Sequence, residues 1–320
     1  MANPKFRLGF REPDIDTNRP FWDGSVTIEG FDVECSAFES PEKIDAWDAS
    51  FGGLMTTKGK NEHPYVSIPA YPNRKFRLAY IFTRTDAGIE GPKDLEGKRV
   101  AIFARDNTAA IWSRGALKHH YGVDFSTITW CLPGKSAQGW GPGITVEPLP
   151  LGPGPKDEAL DEKLISGEID AVLGPNVLPS VSRKDPRTRR LFPDYRTEEQ
   201  NYFKATEIFP ISHVVSVNRE FVDNYPHAPV ALLEAYRKAR DVAFNRVYGS
   251  DPEIVTISWA AAAMDDQRAV MGENYWPYNV TGNVRTLQAM VDYAHDFGVT
   301  PNRLQYEDFF DAEALALDGQ

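Results

Sequence analysis

Hydrophobic and polar positions alternate along the chain with two periods, and the period decides which element each segment predicts. Alternation at every second residue, or a short apolar run, is typical of strands, whereas apolar positions three and four residues apart are typical of helices. The first pattern predicts strands over residues 5–10, 26–37, 95–103, 128–132, 169–173 and 213–217, and the first two could also form a hairpin. The second pattern predicts helices over residues 108–121, 157–168, 232–247, 254–270 and 284–297.

The order of these segments predicts an α/β protein. Strand, helix and strand follow one another twice between residues 95 and 173, which indicates two βαβ units, and Gly122 ends the first of their helices. Residues 133–155 are rich in Gly and Pro and predict a long irregular loop. A mixed start and a helical tail around these units favour two lobes, with the ligand in a cleft at the carboxyl ends of the strands.

Composition narrows the function. The chain has 320 residues, of which 42% are hydrophobic and 25% charged, as in an ordinary globular protein of about two domains. Acidic residues outnumber basic ones by 46 to 35, which gives a formal net charge of −11. Because cations supply most of the affinity for phosphates, we expect neither nucleic acid nor an anionic membrane as a partner.

Targeting and cysteine patterns point to a cytoplasmic protein. No segment has the roughly 18 uninterrupted apolar residues of a membrane span, and the first residues lack the apolar core of a signal peptide. Cys35 and Cys131 lie far apart, with no spacing typical of a zinc site or a disulfide framework. We interpret both as small buried apolar residues.

Two strand-to-helix junctions are candidate anion sites. Asp106, Asn107 and Thr108 follow a strand and begin a helix, where side chains cap free amides and the helix dipole favours an anion. Plain N-capping with water is the alternative. Asp48 and Ser50 end a short strand before a second candidate helix start, whose glycines permit close backbone approach. Here a simple turn is the alternative.

A cluster of cations is a third candidate. Arg74, Lys75 and Arg77 fall within four residues of a junction between two apolar runs. Arginine offers a carboxylate a planar fork that lysine cannot match, so Arg74 and Arg77 are candidate carboxylate ligands. The alternative is a solvated surface run.

His213 is a polar ring inside the apolar run of residues 209–215. Histidine titrates near neutral pH, so His213 is either a catalyst or a satisfied core residue. Glu207 and several aromatic residues could line an aromatic pocket, with core packing as the alternative. The sequence signatures of the common hydrolase, zinc, nucleotide and dinucleotide sites are absent.

Several segments match one known family in order and spacing. They are YPNRKFR at 71–77, GIEGPKDLEGKRVAIF at 88–103, TAAIWSRGALKHHYGV at 108–123, ITW at 128–130, LISGEIDAV at 164–172, NYFKATEIFPISHVV at 201–215 and NYWPYNVTGNVRTL at 274–287. Together they resemble the 4,5-dihydroxyphthalate decarboxylases from about Phe6 to Phe310. The DLEGKRV element is common to many type II periplasmic-binding-protein folds, whereas IFPISHVV and YWPYN are more particular.

The resemblance implies a type II periplasmic-binding-protein-like fold. One lobe would comprise residues 1–83 and 216–320, and the other residues 84–215. It also implies a cytoplasmic enzyme, without an organic cofactor, that removes a carboxylate from a dihydroxylated aromatic acid, and it suggests a homo-oligomer. Where the family typically shows a Glu-Tyr pair, this chain has Ala104 and Arg105. We therefore expect a substrate that differs from dihydroxyphthalate in charge or ring pattern.

Such a decarboxylase needs an acid for the ipso carbon, a base for the ring hydroxyl and cations for the carboxylates. We expect His213 to transfer the proton, with Asp48 as the second acid/base candidate. The predicted substrate-binding residues are Arg74, Arg77, Arg105, Asn107, Thr108, Ser50 and Glu207. Asp48, His213 and Glu207 could converge on a divalent metal, although their spacing gives no ligand motif. The alternative function is a binding protein that captures a small aromatic or carboxylate ligand without chemistry.

Overall fold

The computed structural model describes residues 2–134, 140–249 and 255–318. Within those residues the strands form a five-stranded and a six-stranded sheet. The first contains β1 (Lys5–Phe10), β2 (Asp32–Ala37), β3 (Ala46–Ser50), β4 (Tyr65–Ser67) and β11 (His213–Asn218). The second contains β5 (Ile81–Arg84), β6 (Arg99–Ile102), β7 (Thr129–Pro133), β8 (Thr145–Leu149), β9 (Ala171–Leu173) and β10 (Thr188–Arg190).

Both sheets mix parallel and antiparallel pairs. The first has the order β2-β1-β3-β11-β4, in which β1 pairs parallel with both neighbours and β11 runs antiparallel to β3 and β4. The second has the order β10-β5-β9-β6-β7-β8, in which β5 runs antiparallel to β9 and β10. Its central strands β6 and β9 are apolar and buried, as parallel interior strands are.

Helices cover and connect the sheets. They are α1 (Arg19–Trp22), α2 (Phe51–Gly59), α3 (Thr108–Gly115), α4 (Lys156–Ser166), α5 (Pro179–Ser182), α6 (Tyr195–Thr206), α7 (Arg219–Asn224), α8 (Ala228–Tyr248), α9 (Ala260–Met271), α10 (Val284–Asp296) and α11 (Ala312–Ala316). A π-helical turn, Ala116–His120, continues α3. No helix in the described ranges has the length and apolar character to cross a membrane.

Two backbone segments run side by side between the sheets. The amide of Ser212 donates to the carbonyl of Asn73 at 2.8 Å, and the amide of Lys75 donates to the carbonyl of Pro210 at 3.1 Å. These crossover segments place the predicted cations next to the start of β11. They therefore position the candidate site between the two sheets.

The predicted elements are mostly present, with three corrections. The strand predicted over 26–37 covers only Asp32–Ala37, and it pairs parallel with β1, so the hairpin interpretation is wrong. The loop predicted over 133–155 contains β8, an edge strand that Pro148 and its Gly- and Pro-rich flanks hid. Residues 135–139 of that loop lie outside the described residues. The helix predicted from residue 254 begins at Ala260, and residue 254 itself is outside the described part.

The lobe boundaries stay a prediction. The proposed boundary after residue 83 falls inside β5, which pairs in the six-stranded sheet. The boundary before residue 216 falls inside β11, which pairs in the five-stranded sheet from His213 onward. Strand pairing therefore favours boundaries that lie in the crossover segments rather than within these strands.

Candidate functional site

The imidazole of His213 and the carboxylate of Asp48 form a buried pair. In the antiparallel register of β3 and β11, Ser50 lies opposite His213 and Val215 lies opposite Asp48, so these side chains share one face of the sheet. His213 Nδ1 lies 3.1 Å from Asp48 Oδ2. The side chain of Asp48 is 0% exposed and that of His213 is 14% exposed. The register thus joins two residues that are 165 positions apart.

The carboxylate of Asp48 is held at both oxygens. Its Oδ1 accepts the backbone N–H of Arg11 at 2.6 Å, and Arg11 directly follows β1. A carboxylate fixed in this way accepts the Nδ1 proton of the imidazole and sets the tautomer of the ring. Within the described residues, the structure gives His213 Nε2 no hydrogen bond, so Nε2 is the nitrogen that can meet a ligand.

The starts of α2 and α3 meet beside His213. Ser50 Oγ and Thr108 Oγ1 lie 2.9 Å apart, and the backbone N–H of Gly52 donates to Thr108 Oγ1 at 2.9 Å. A Cβ at residue 52 would lie 2.2 Å from the carbonyl oxygen of Asp106, a distance that only glycine avoids. We call these contacts the α2–α3 junction. The glycine that the sequence marked for close approach thus brings two helix starts into contact.

The N-terminus of α3 is capped by its own side chain. Asn107 Oδ1 accepts the backbone N–H of Ala110 at 3.1 Å, which is the capping alternative for this motif. The carbonyl of Arg105 accepts a hydrogen bond from the buried guanidinium of Arg114. Anion binding in front of α3 stays a prediction.

Arg77 lies next to the His213 segment as a buried cation. Its Nη2 donates to Ser212 Oγ at 2.7 Å and its Nη1 donates to the carbonyl of Pro175, which follows β9, at 3.2 Å. The residue is 8% exposed, and burial lowers the pKa of its guanidinium to about 10. It forms no ion pair within the described residues. The structure thus places a buried positive charge, without an ion pair among the described residues, between the start of β11 and the end of β9.

Arg74 is also buried, but its guanidinium binds other groups than that of Arg77. Its Nη1 donates to Asn283 Oδ1 at 2.8 Å and its Nη2 donates to the carbonyl of Phe209 at 2.7 Å. The residue is 6% exposed, and burial lowers the pKa of its guanidinium to about 9. The surface-run alternative is therefore wrong for Arg74 and Arg77, but their forks bind neutral acceptors and do not converge on one point.

Glu207 does not join His213 and Asp48. It follows α6 with a left-handed backbone, φ 56°, and its exposed carboxylate pairs with Arg285. Among the described residues no group of three or more His, Cys, Asp or Glu side chains is placed to hold a metal ion. The predicted convergence of these three residues on a metal is therefore not what the fold produces, because the α6 turn directs Glu207 toward α10.

The sequence patterns did not predict two kinds of buried polar group, a carboxyl and two tyrosine hydroxyls. Glu199 in α6 accepts the backbone N–H of Ala79 at 2.9 Å, and burial raises the pKa of its carboxyl to about 7. The hydroxyls of Tyr71 and Tyr236 are buried and have no hydrogen-bond partner among the described residues. Burial, with a smaller contribution from the charge of Asp48, holds the pKa of Tyr236 well above its usual value. Nothing local marks these residues, since their burial depends on packing between distant segments.

The architecture defines a class of protein. The structural alignment with the aliphatic sulphonate-binding protein of Escherichia coli covers 97% of this chain and 98% of that protein. Its TM-score is 0.55 and the sequence identity is 14%. The sequence pattern of the NMT1/THI5-like family matches residues 53–134. The chain has the type II periplasmic-binding-protein-like fold, as the resemblance implied.

Two relatives then identify the family. The 4,5-dihydroxyphthalate decarboxylase of Comamonas testosteroni is 28% identical over 324 residues, which cover 97% of this chain and 98% of the relative. The enzyme of that name from Pseudomonas putida is 30% identical over 201 residues, 58% of this chain and 77% of the relative. The chain belongs to the 4,5-dihydroxyphthalate decarboxylase family.

Proposed function

We propose that this protein is a non-oxidative decarboxylase of a hydroxylated aromatic carboxylic acid similar to 4,5-dihydroxyphthalate. Family membership supports the reaction class. The observation that carries the proposal is the His213–Asp48 pair, because it supplies an oriented imidazole with one free nitrogen at the meeting point of the sheets. The change from a Glu-Tyr pair to Ala104 and Arg105 favours a substrate with another charge or ring pattern.

The reaction requires an acid that protonates the ring, because loss of CO2 without this proton would form a carbanion. Direct loss of CO2 would leave an aryl anion, so the lower route first protonates the ring carbon that bears the carboxylate. A ring hydroxyl ortho or para to that carbon releases electron density, and a ring electron pair forms the new C–H bond. The C–C bond to the carboxylate then breaks, its electron pair restores the aromatic ring, and CO2 leaves.

We assign the proton donor to His213 and a positioning role to Asp48. The protonated imidazole gives its Nε2 proton to the ring carbon and regains a proton from water. Asp48 is fully buried and already occupied by Arg11 and His213, so it acts through the imidazole rather than on the substrate. The hydrogen bond to Nδ1 fixes the orientation of the imidazole ring. This replaces the prediction that Asp48 is itself an acid or base.

Arg77 is the proposed partner of a substrate carboxylate. It joins the residue before His213 to the end of β9, and among the described residues no carboxylate forms an ion pair with it. A buried cation without a counter-ion is costly, so an anion at this point stabilises the site. Ser50, Asn107 and Thr108 set the position of the adjacent helix starts through the α2–α3 junction and the α3 cap.

The test separates an enzyme from a binding protein. The purified chain is incubated with 4,5-dihydroxyphthalate and with dihydroxybenzoates, while released CO2 and ring absorbance are followed. The proposal expects CO2 release with at least one of these acids and equimolar formation of the acid or phenol that lacks one carboxylate. Saturable binding of all of them without any CO2 would instead support the binding-protein alternative. Cytoplasmic location and self-association stay predictions.

A further inference from the structure

A crevice lies between α6, α9 and the crossover segment, away from the His213–Asp48 pair. Its volume is about 510 Å³. Six aromatic side chains line it: Phe76, Tyr80, Tyr195, Phe203, Phe209 and Trp276. His213, Asp48, Ser50 and Thr108 are not among its lining residues. A cavity of this size and character suits a small aromatic molecule.

The crevice is open because α9 does not pack down onto α6. None of the 12 residues of α9, all of them described, is buried. An ion pair between Arg196 on α6 and Asp266 on α9 spans the gap. Val270 and Met271 face the crevice from α9, opposite Phe203. Protein interiors are normally close-packed, so an aromatic-lined space under a helix indicates room for an occupant.

The aromatic lining is preorganised. The rings of Phe76 and Phe209 stack with centroids 4.8 Å apart, and the ring of Trp276 meets Phe209 edge to face at 5.3 Å. Trp276 Nε1 donates to the carbonyl of Tyr71 at 2.8 Å, which fixes the indole. A planar ligand can thus stack without reordering the wall.

The charges in the crevice favour an anion. Arg74 lines it, is more than nine-tenths buried, and has an Nε without a hydrogen-bond partner among the described residues. Its guanidinium carbon lies 4.3 Å from the centre of the Phe209 ring. Lys75 lines the same crevice, with Nζ 5.1 Å from the centre of the Tyr80 ring. Neither cation has an ion-pair partner in the part of the chain that the structure describes.

Glu199, an acid in the crevice wall without an ion pair among the described residues, does not remove the preference for an anion. Glu199 lines the crevice, and burial raises the pKa of its carboxyl to about 7, so it is partly neutral at neutral pH. The backbone N–H of Ala79 already donates to one of its oxygens. The carboxyl remains an acceptor for a hydroxyl group on the ligand. Aromatic walls, two uncompensated cations and this carboxyl together match a hydroxylated aromatic monocarboxylate.

We propose that the crevice between α6 and α9 binds a small aromatic carboxylate, with its ring among Phe76, Phe203 and Phe209 and its carboxylate toward Arg74 and Lys75. This site is separate from the His213–Asp48 pair and does not depend on the proposed reaction. It assigns to Arg74 a ligand other than the substrate carboxylate predicted from the sequence. Because the crevice touches both the crossover segment and α9, its occupant bridges elements attached to both sheets.

The test follows the indole N–H signal of Trp276 by NMR on the full chain, with Trp276→Phe used to assign it. The probe is 4-hydroxybenzoate, and its neutral counterpart is 4-hydroxybenzyl alcohol. We expect a saturable shift with the acid and none with the alcohol at equal concentration. Lys75→Gln should weaken the acid about 3-fold, and Arg74→Gln about 10-fold or more. The matched control Lys60→Gln, which changes an exposed lysine directly after α2, should leave the dissociation constant unchanged.

The outcome distinguishes this site from the catalytic one. His213→Ala should keep the full Trp276 shift even though it loses turnover. The proposal is overturned if the Trp276 signal does not move, if the alcohol moves it equally, or if Lys75→Gln binds as tightly as the unaltered chain. It is also overturned if His213→Ala abolishes the shift. Since Lys75 is exposed, this variant decides the matter even where the buried Arg74→Gln fails to fold.

Discussion

Two of the places where helices meet are built in opposite ways. At the α2–α3 junction the backbones touch, since Gly52 leaves no room for a Cβ beside the carbonyl of Asp106. Between α6 and α9 the walls stay apart around about 510 Å³, and a single exposed ion pair spans them. The α2–α3 junction therefore holds its atoms in fixed positions, whereas the gap between α6 and α9 leaves room for a ligand.

This difference separates two tasks. Proton transfer depends on placement within a few tenths of an ångström, and the His213–Asp48 pair lies beside the rigid junction. Reversible binding of a small molecule needs a preformed cavity with a few polar groups, and the crevice has that form. Changes at the junction should therefore affect turnover or folding, whereas changes in the crevice should affect ligand binding and pH response.

Replacement of Asp48, beside the α2–α3 junction, should have the largest effect on turnover. We expect Asp48→Asn to lower kcat roughly 100-fold while KM changes little, because the amide keeps the Arg11 hydrogen bond but no longer holds the imidazole in the orientation set by the carboxylate. Asp45→Asn is the matched control, since Asp45 is also a buried carboxylate and binds Arg7 instead. This control should lower Tm but leave kcat nearly unchanged. Equal losses of kcat in both variants would show that Asp48 is only structural.

A methyl group at Gly52 tests the contact itself. The Cβ of Gly52→Ala would overlap the Asp106 carbonyl, so we expect the free energy of unfolding to fall by about 1–3 kcal/mol. Gly53→Ala is the control, because its Cβ would lie 3.7 Å from its nearest neighbour, Ser50 Cβ, which is an ordinary contact distance. Urea unfolding of the two variants should separate them clearly. If both are as stable as the unaltered chain, the α2–α3 junction is not tightly closed.

The pH dependence of the free energy of unfolding tests the crevice between α6 and α9. Burial raises the pKa of Glu199 to about 7, so the folded chain holds this proton more tightly than the unfolded chain. The resulting stability is fully present below about pH 4.3 and is lost as the pH rises through 7. Between pH 5 and 8 the free energy of unfolding should fall by about 2–3 kcal/mol more than in Glu199→Gln.

The control for this comparison is Glu158→Gln, which removes an exposed carboxylate on α4. Urea unfolding at each pH gives the measurement. The control should keep the full pH dependence, whereas Glu199→Gln should flatten it. A pH dependence that survives in Glu199→Gln would mean that Glu199 ionises normally and that the crevice wall carries a full negative charge.

Local patterns predicted the elements better than the site. Apolar runs marked β6 and β9 because buried parallel strands lack alternation, and three- to four-residue spacing marked α8 and α10. The edge strand β8 was missed, since Pro148 lies within it and Gly- and Pro-rich segments flank it. Its position follows from pairing with β7, which no local pattern encodes.

The candidate site shows the same limit at the level of side chains. His213 and Asp48 were both singled out from residue type and context, but their contact depends on the antiparallel register of β3 and β11. Glu207 does not join them, because the left-handed backbone at the end of α6 places its carboxylate against Arg285. The crevice could not be predicted at all, because it is defined by the space between α6 and α9.

The most direct measurement is the single-turnover rate of CO2 release by His213→Ala, set beside the dissociation constant of the same substrate. If His213 delivers the proton to the ring carbon, the rate should fall by roughly 100-fold or more while the dissociation constant changes by less than about 3-fold. A rate close to that of the unaltered chain would contradict the account, since some other group would then be protonating the ring.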